Sequence, residues 1–282
     1  MHFFLSIIFL SFTAQAHCAD HLNSWHESVG IKNAEEIKKY EANRIVGGAV
    51  APVDAHPYLV GLLIDLWGSP SVSACGGSLL SHNRILTAAH CWYDGVFTAW
   101  RFTAVLGSPF LFHGGLRVIP DRIAIHPEYD ARTFANDIAM LMTPVRIPFT
   151  HNIQPILLPQ GEMLQESFEG DWTIASGYGR YSDLNNPTTN TMARYVFLRV
   201  ISLAKCRSFY GNIVLDSNIC TNGHGGTGIC QGDSGGPLIV IRHGQPVLIG
   251  VSSFVARDGC ELGFPSAFAR VSTYINWIRQ RL

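Results

Sequence analysis

The chain has 282 residues, of which 47% are hydrophobic and 15% are charged, and its formal net charge at pH 7 is −1. A charge so close to zero excludes the strongly basic surface of a nucleic-acid-binding protein and a polybasic segment that would bind an anionic membrane. The length suffices for one large β-domain or two small ones.

The chain begins with the features of a secretory leader. Residues 3–12 form an apolar run, and residues 14–16 read Ala-Gln-Ala, the small-x-small pattern that a signal peptidase accepts. The run is too short to span a bilayer, and no later run reaches eighteen uninterrupted apolar residues. We predict a signal peptide over residues 1–16, with cleavage after Ala19 as the alternative, and a secreted, extracellular product. A buried N-terminal helix is the competing interpretation.

The stretch that follows, residues 17–44, is charged and poor in apolar periodicity. Residues 35–39 form a short helical-looking run within it. A packed domain is not expected there, because such a stretch offers little apolar surface to bury.

Beyond residue 44 the sequence changes to short apolar runs separated by Gly, Pro, Asn and Ser turns, which is typical of an all-β domain. Strands are predicted at residues 58–64, 195–201 and 247–251. One helix is expected, at the end of the chain. Ser272 can cap it, and apolar residues recur there at helical spacing, namely Tyr274, Ile278 and Leu282.

Seven cysteines in a secreted chain leave one unpaired, and Cys18, beside the leader cleavage site, is the candidate. The other six form an even set suited to disulfides in an oxidising compartment: Cys75, Cys91, Cys206, Cys220, Cys230 and Cys260. Their spacing alone leaves the pairing open.

Three short segments carry the residue types of a nucleophilic hydrolase. They are Leu-Thr-Ala-Ala-His-Cys ending at Cys91, Asn-Asp-Ile-Ala-Met-Leu containing Asp137, and Gly-Asp-Ser-Gly-Gly-Pro containing Ser234. A serine hydroxyl is a poor nucleophile at neutral pH and needs a base, for which His90 is the candidate. Each segment alone is ambiguous, because an isolated His or Asp is usually structural.

Together and in this order, the segments resemble the chymotrypsin-type serine proteases over residues 45–282. The resemblance implies two six-stranded antiparallel β-barrels with a C-terminal α-helix and a catalytic cleft between the barrels. It implies that His90 is the general base, that Asp137 orients it, and that Ser234 is the nucleophile. The backbone N–H groups of Gly232 and Ser234 would form the oxyanion hole. A non-catalytic homologue that acts by binding is the alternative outside the enzymes.

The junction Arg44-Ile45-Val46-Gly47-Gly48 resembles the activation site of the same family. The resemblance implies an activation propeptide over residues 17–44 and a new ammonium group on Ile45 that pairs with buried Asp233. It also implies the disulfides Cys75–Cys91, Cys206–Cys220 and Cys230–Cys260. No cysteine of the mature domain is then left to tether the propeptide.

The family's specificity pocket falls on uncharged residues of this chain, with Gly228 at its floor, Ile229 next to it, and Val255 and Ser266 on its walls. A carboxylate at the position of Gly228 would select Arg or Lys, and burying such a cation unpaired is costly. We therefore expect apolar residues before the cut bond, Leu, Met, Val or Ala ahead of Phe or Tyr, because branched Val255 narrows the pocket. The residues from Ser253 to Val255 should also bind substrate backbone as an added strand. A pocket that disfavours Arg also predicts activation by a separate trypsin-like protease.

Two features bear on the biological setting. The domain after Arg44 has 16 acidic and 16 basic residues, and Lys205 is its one lysine. Because arginine keeps its charge to higher pH than lysine, this bias would preserve surface charge in an alkaline fluid. Residues 218–221 and 259–266 resemble invertebrate digestive chymotrypsins and collagenolytic enzymes, which favours a gut lumen. Compositional drift is the plainer explanation, and a narrow-specificity regulatory, immune or venom protease is the alternative role.

The expected partners are protein or peptide substrates, an activating trypsin-like protease and protein inhibitors, with no nucleic acid and no membrane, for a monomeric enzyme. We expect no cofactor and no metal. No acidic residue lies between Asp94 and Asp121, where relatives carry calcium ligands, and no His pair has zinc spacing.

Overall fold

A computed structural model describes residues 24–31, 51–52, 54–180 and 192–282 of the chain. The predictions for the leader, for Cys18, for the run at residues 35–39 and for the Arg44–Ile45 junction lie outside these residues. Within the described ranges, no helix has the length and apolar character needed to cross a membrane.

The fold consists of two antiparallel sheets that follow one another along the chain. The strands of the first sheet are β1 (Leu59–Leu66), β2 (Val72–Ser81), β3 (Arg84–Thr87), β4 (Ala99–Leu106), β5 (Leu116–Val118), β6 (Arg122–Ile125) and β7 (Ala139–Met142). The strands of the second sheet are β8 (Trp172–Gly177), β9 (Arg194–Ile201), β10 (Asn218–Thr221), β11 (Pro237–Arg242), β12 (Gln245–Phe254) and β13 (Ser266–Arg270).

The two sheets differ in closure. The first has the strand order β5-β4-β1-β2-β3-β7-β6 and curves as a half-barrel, whereas the second closes as a six-stranded barrel in the order β10-β13-β12-β11-β8-β9. The predicted all-β class with two antiparallel barrels is confirmed, except that the described part of the first sheet has seven strands, where six were predicted, and is not closed. The apolar core around Leu62 and Ile64 of the first sheet continues into the second sheet at Leu248, and a separate cluster around Leu238 and Phe268 fills the second barrel.

The helices differ from the prediction in two ways. The C-terminal helix, α2, spans Ile275–Arg279, and Tyr274 stands at its N-cap with no side-chain hydrogen bond, so the cap assigned to Ser272 is wrong. Tyr274 and Ile278 are buried as expected, but Leu282 is exposed. A second helix, α1 (Leu203–Tyr210), was not predicted, and its cap is Ser202, whose Oγ accepts from the backbone N–H of Lys205. Both differences have the same cause, since a helix of only one or two turns gives too short a sequence pattern to predict the helix or its cap.

Three disulfides brace the loops between strands, and they are the three pairs that the resemblance implies. Cys75–Cys91 ties β2 to the helical turn Ala89–Cys91, Cys206–Cys220 ties α1 to β10, and Cys230–Cys260 joins the loops before β11 and after β12. The first and third therefore fix the loops that carry His90 and precede Ser234.

Candidate active site

His90 and Asp137 form a buried pair on the first sheet. His90 follows β3 in the turn Ala89–Cys91, and Asp137 lies two residues before β7, the strand paired with β3. The Nδ1 of His90 lies 2.8 Å from Oδ2 of Asp137, and the backbone N–H of His90 donates to Oδ1 at 2.9 Å. Because an ionised carboxylate only accepts hydrogen bonds, the proton of a neutral His90 sits on Nδ1 and leaves Nε2 as an acceptor. That Nε2 is buried and has no hydrogen-bond partner among the described residues.

Asp137 receives a third hydrogen bond from the second sheet. Ser253, on β12, donates from Oγ to Oδ2 of Asp137 at 2.6 Å, and both side chains are buried. The side chain of Ser253 therefore supports the His90–Asp137 pair instead of lining a pocket, and only its backbone remains available for the predicted contact with substrate. This side-chain role was missed because the sequence does not show which face of β12 meets the other sheet.

Asn136 holds the turn from which Asp137 projects. Its φ of 55° lies in the left-handed region, which asparagine tolerates better than most residues. Its amide donates to the carbonyl of Glu128 at 2.9 Å, and its Oδ1 accepts from the hydroxyl of Tyr274 at 3.3 Å. Asn136 is thus a positioning residue that the sequence motif contained but did not assign.

Ser234 lies on a tight turn between the two sheets. Gly232 and Gly235 on either side of it have φ values of 96° and 78°, so that the turn depends on glycine at both positions. The carbonyl of Ser234 accepts from the N–H of Gly76 on β2 at 2.7 Å, and the N–H of Gly235 donates to Ser252 on β12 at 2.8 Å. Each sheet therefore fixes one side of the turn.

Asp233 is a second buried carboxylate, next to Ser234. It accepts from the backbone N–H groups of Gly179 at 2.8 Å and Cys230 at 2.9 Å. Burial raises the pKa of Asp233 to about 6, although these two hydrogen bonds oppose the rise. It takes part in no salt bridge within the described part of the chain. A cavity of about 290 Å³ adjoins it, lined in part by Gly177, Gly179 and Gly228.

The predicted pocket residues lie together at the edge of the second barrel. A Cβ on Gly228 would lie 2.8 Å from Oγ of Ser266, and that Oγ accepts from the N–H of Ile229 at 3.2 Å. Ile229 is buried in the core of the second barrel, and Val255 packs against the same cluster just beyond β12. These four residues carry no charged side chain, whereas the cavity that Gly228 and Ile229 line is also bordered by Arg180, Arg194 and Asp233.

Three neighbouring residues have atom types that bind metal ions, but two of them are not in the state that binds one. Atoms of Cys75, His90 and Cys91 lie within 4.8 Å of one another. The two sulfur atoms are joined as a disulfide, so neither offers the thiolate that binds a metal ion.

The site also contains part of the predicted propeptide, whose docking against the protease domain was not predicted from the sequence. Residues 24–31, which we call the N-terminal segment, form a helical turn over His26–Gly30 and lie against the loop that carries His90. The sequence predicted no packed domain over residues 17–44, and a short docked segment needs too few apolar residues to produce a periodic signal.

Comparison with known proteins agrees with this geometry. The family model described as Trypsin matches residues 45–278. Collagenase from Hypoderma lineatum is 39% identical over 245 residues, which covers 86% of this chain and 89% of the relative. Alkaline trypsin B from Manduca sexta is 37% identical over 84% of this chain and 90% of the relative, and brachyurin from Leptuca pugilator is 34% identical over 83% and 97%. The solved structure of HL collagenase superposes with a TM-score of 0.75 at 37% identity, covering 84% of this chain and 98% of that one.

Proposed function

This chain belongs to the trypsin family and is a serine endopeptidase, and from that premise we propose how its residues divide the reaction. Ser234 is the nucleophile, His90 the general base and Asp137 the group that orients His90. The observation that carries this assignment is the buried His90–Asp137 pair, whose bonds place the proton on Nδ1 and leave the buried Nε2 as an acceptor.

The acylation step follows from that arrangement. As Ser234 Oγ bonds to the carbonyl carbon of the substrate, His90 Nε2 takes the hydroxyl proton, and the imidazolium that forms is stabilised by Asp137. The same proton then passes to the departing amine, which leaves an acyl-enzyme on Ser234. Water, deprotonated in turn by His90, hydrolyses this ester and restores the hydroxyl.

The oxyanion that forms during both steps is stabilised by the backbone N–H groups of Gly232 and Ser234. Neither group donates a hydrogen bond to any other described residue, so both are free to bind the developing charge. A lost donor of this kind costs about 3 to 4 kcal/mol of transition-state stabilisation.

Activation is proposed to follow cleavage after Arg44. The cavity beside Asp233 and the absence of a salt bridge to this carboxylate among the described residues support a site that receives the new ammonium group of Ile45. Pairing there neutralises a buried charge, which otherwise destabilises the turn that carries Gly232 and Ser234.

The proposed specificity is for apolar residues before the cut bond. Gly228, Val255 and Ser266 supply no carboxylate, and Asp233, which borders the same cavity as Gly228, is assigned to the ammonium group of Ile45. An Arg or Lys side chain would therefore be buried without a partner. The enzyme would therefore not process its own Arg44 efficiently, and activation falls to a separate trypsin-like protease.

Secretion into a digestive fluid is the proposed setting. The three disulfides favour an oxidising compartment. Among the relatives are collagenases and trypsins described as alkaline, and the scarcity of lysine after Arg44 is compatible with such a fluid.

The test is a substrate panel on the purified precursor. After treatment with immobilised trypsin and removal of the beads, we expect a new N-terminus at Ile45 and hydrolysis of peptides with Leu or Ala before the cut bond. An Arg substrate should be cleaved at least about a hundredfold more slowly, because its charge is buried unpaired.

The matched controls are Ser234→Ala, which should be cut but inactive, and Arg44→Gln, which should be neither cut nor activated. Preference for the Arg substrate would refute the proposed specificity. Full activity of Arg44→Gln without cleavage would refute the activation step.

A further inference from the structure

The N-terminal segment covers the residue on which the proposed reaction depends. The ring of Trp25 meets the ring of His90 edge-on, with centroids 4.6 Å apart and planes at 66°. Phe134 packs against His90 from another direction, at 5.5 Å and 81°. His90 is fully buried as a result, although a general base has to meet its substrate.

Asp94, four residues after His90, anchors the start of this segment. Its carboxylate accepts a hydrogen bond from Oγ of Ser24 and one from the backbone N–H of His26 at 2.7 Å. Burial alone would raise the pKa of Asp94, but the hydrogen bonds from Ser24 and His26 lower it below its ordinary value. The carboxylate thus satisfies a free N–H at the start of the helical turn, as a capping residue does.

Ser73 of β2 provides a second anchor. Its Oγ lies 2.9 Å from Nδ1 of His26, whose side chain is fully buried. Gly30 passes so close to the same hydroxyl that a Cβ on it would lie 1.8 Å from Ser73 Oγ and 2.7 Å from Trp25. The contact is therefore specific to these residues, since no larger side chain fits at Gly30.

The two anchors belong to one wall of the cleft. Ser73 lies two residues before Cys75, and the disulfide Cys75–Cys91 ties that strand to the His90 turn. Gly228 and Ser266, by contrast, lie next to each other at the second barrel, where Ser266 begins β13. Because a general base has to contact its substrate, the Trp25 ring that packs on His90 occupies space that a bound substrate needs.

We propose that residues 24–31 are an inhibitory segment that docks on Asp94, Ser73 and His90 and blocks the cleft independently of the Asp233 switch. This inference rests on the proposed function of His90 and Ser234. Cleavage after Arg44 breaks none of these contacts by itself, and all six cysteines of the domain are bonded to one another. The released propeptide therefore remains a noncovalent inhibitor until it dissociates or is degraded.

The experiment adds a synthetic peptide of residues 20–34 to the trypsin-activated enzyme after the propeptide has been removed by gel filtration. We expect competitive inhibition of a small apolar substrate. Peptides carrying Trp25→Ala or Gly30→Val should bind at least about tenfold more weakly, because one loses the ring contact and the other cannot approach Ser73. Mass spectrometry of the peptide distinguishes an inhibitor from a substrate that competes while it is cleaved.

A second measurement uses the whole precursor. Trp25→Ala should show faster recovery of activity than the unchanged chain at the same extent of cleavage after Arg44, measured without removing the propeptide. The inference fails if the filtered enzyme is active yet is not inhibited by the unchanged peptide at about 1 mM, or if all three peptides inhibit it equally. An inactive filtered enzyme would instead refute the proposed function.

Discussion

The candidate site contains two buried carboxylates, Asp137 and Asp233, and they differ in the hydrogen bonds that they accept. Asp137, on the first sheet, accepts three hydrogen bonds, two from His90 and one from Ser253. Asp233, next to Ser234, accepts two backbone N–H bonds and borders a cavity. The acid–base pair is thus assembled before any cleavage, whereas the carboxylate beside the oxyanion turn still lacks a cation among the described residues.

Under the proposed activation step, this difference assigns the latency of the precursor to Asp233 and not to Asp137. Burial with only two backbone N–H donors raises the pKa of Asp233 to about 6, so its ionised form is less stable in the folded protein than that of an exposed carboxylate. An ammonium group beside Asp233 therefore stabilises the folded state. No comparable gain in stability is available at Asp137.

The largest effect is expected from Asp137→Asn in the activated enzyme. An amide at this position favours the wrong tautomer of His90, and in this class of catalytic site the change lowers kcat by about 10⁴. The measurement is kcat and KM on an apolar substrate after trypsin treatment. KM should stay nearly constant, because Asp137 does not touch the substrate.

Ser253→Ala is the matched control for that substitution. It removes one of the three hydrogen bonds to Asp137 and keeps the carboxylate that orients His90. We expect a loss of about tenfold, as for one charge-assisted hydrogen bond. If kcat falls equally in both variants, the hydrogen bonds around Asp137 determine the rate and the charge of its carboxylate does not.

A smaller effect is expected at Asp233, in the pH dependence of stability. Because burial raises the pKa of Asp233 to about 6 from the ordinary 3.8, the folded precursor binds a proton that the unfolded chain has already lost. The free energy of unfolding of the precursor should therefore fall as pH rises from about 4 to about 6, by about 3 kcal/mol from this group alone.

Urea unfolding of the Ser234→Ala precursor at several pH values measures this fall without self-digestion. Adding Asp233→Asn should flatten the fall, and cleavage after Arg44 should also remove it, because the ammonium group of Ile45 stabilises the ionised form. If the cut and uncut proteins lose stability in parallel over this range, the proposed pairing is wrong.

Features that lie in local sequence motifs could be predicted, whereas contacts between distant elements could not. The segments around His90, Asp137 and Ser234 could be identified in the sequence from their residue types. The structure brings His90 and Asp137 into direct contact. The all-β class followed from short apolar runs bounded by turns. Boundaries were less accurate: the strand predicted at residues 247–251 spans Gln245–Phe254.

Contacts between distant elements were beyond the sequence. The hydrogen bond from Ser253 to Asp137 joins residues 116 positions apart, and its existence depends on how the two sheets meet. Helix α1 escaped notice because eight residues give too little periodicity. The N-terminal segment was missed for a related reason, since its docking relies on Asp94 and Ser73 more than on its own pattern.

The most direct test of the account is the timing of covalent labelling at Ser234. A fluorophosphonate, which reacts only with an activated serine, is added to the precursor at intervals during trypsin treatment, and the labelled residue and the N-terminus are both identified by mass spectrometry. The account predicts a label on Ser234 that appears in proportion to chains beginning at Ile45. Equal labelling of the uncut precursor, or a label on another residue, would contradict it.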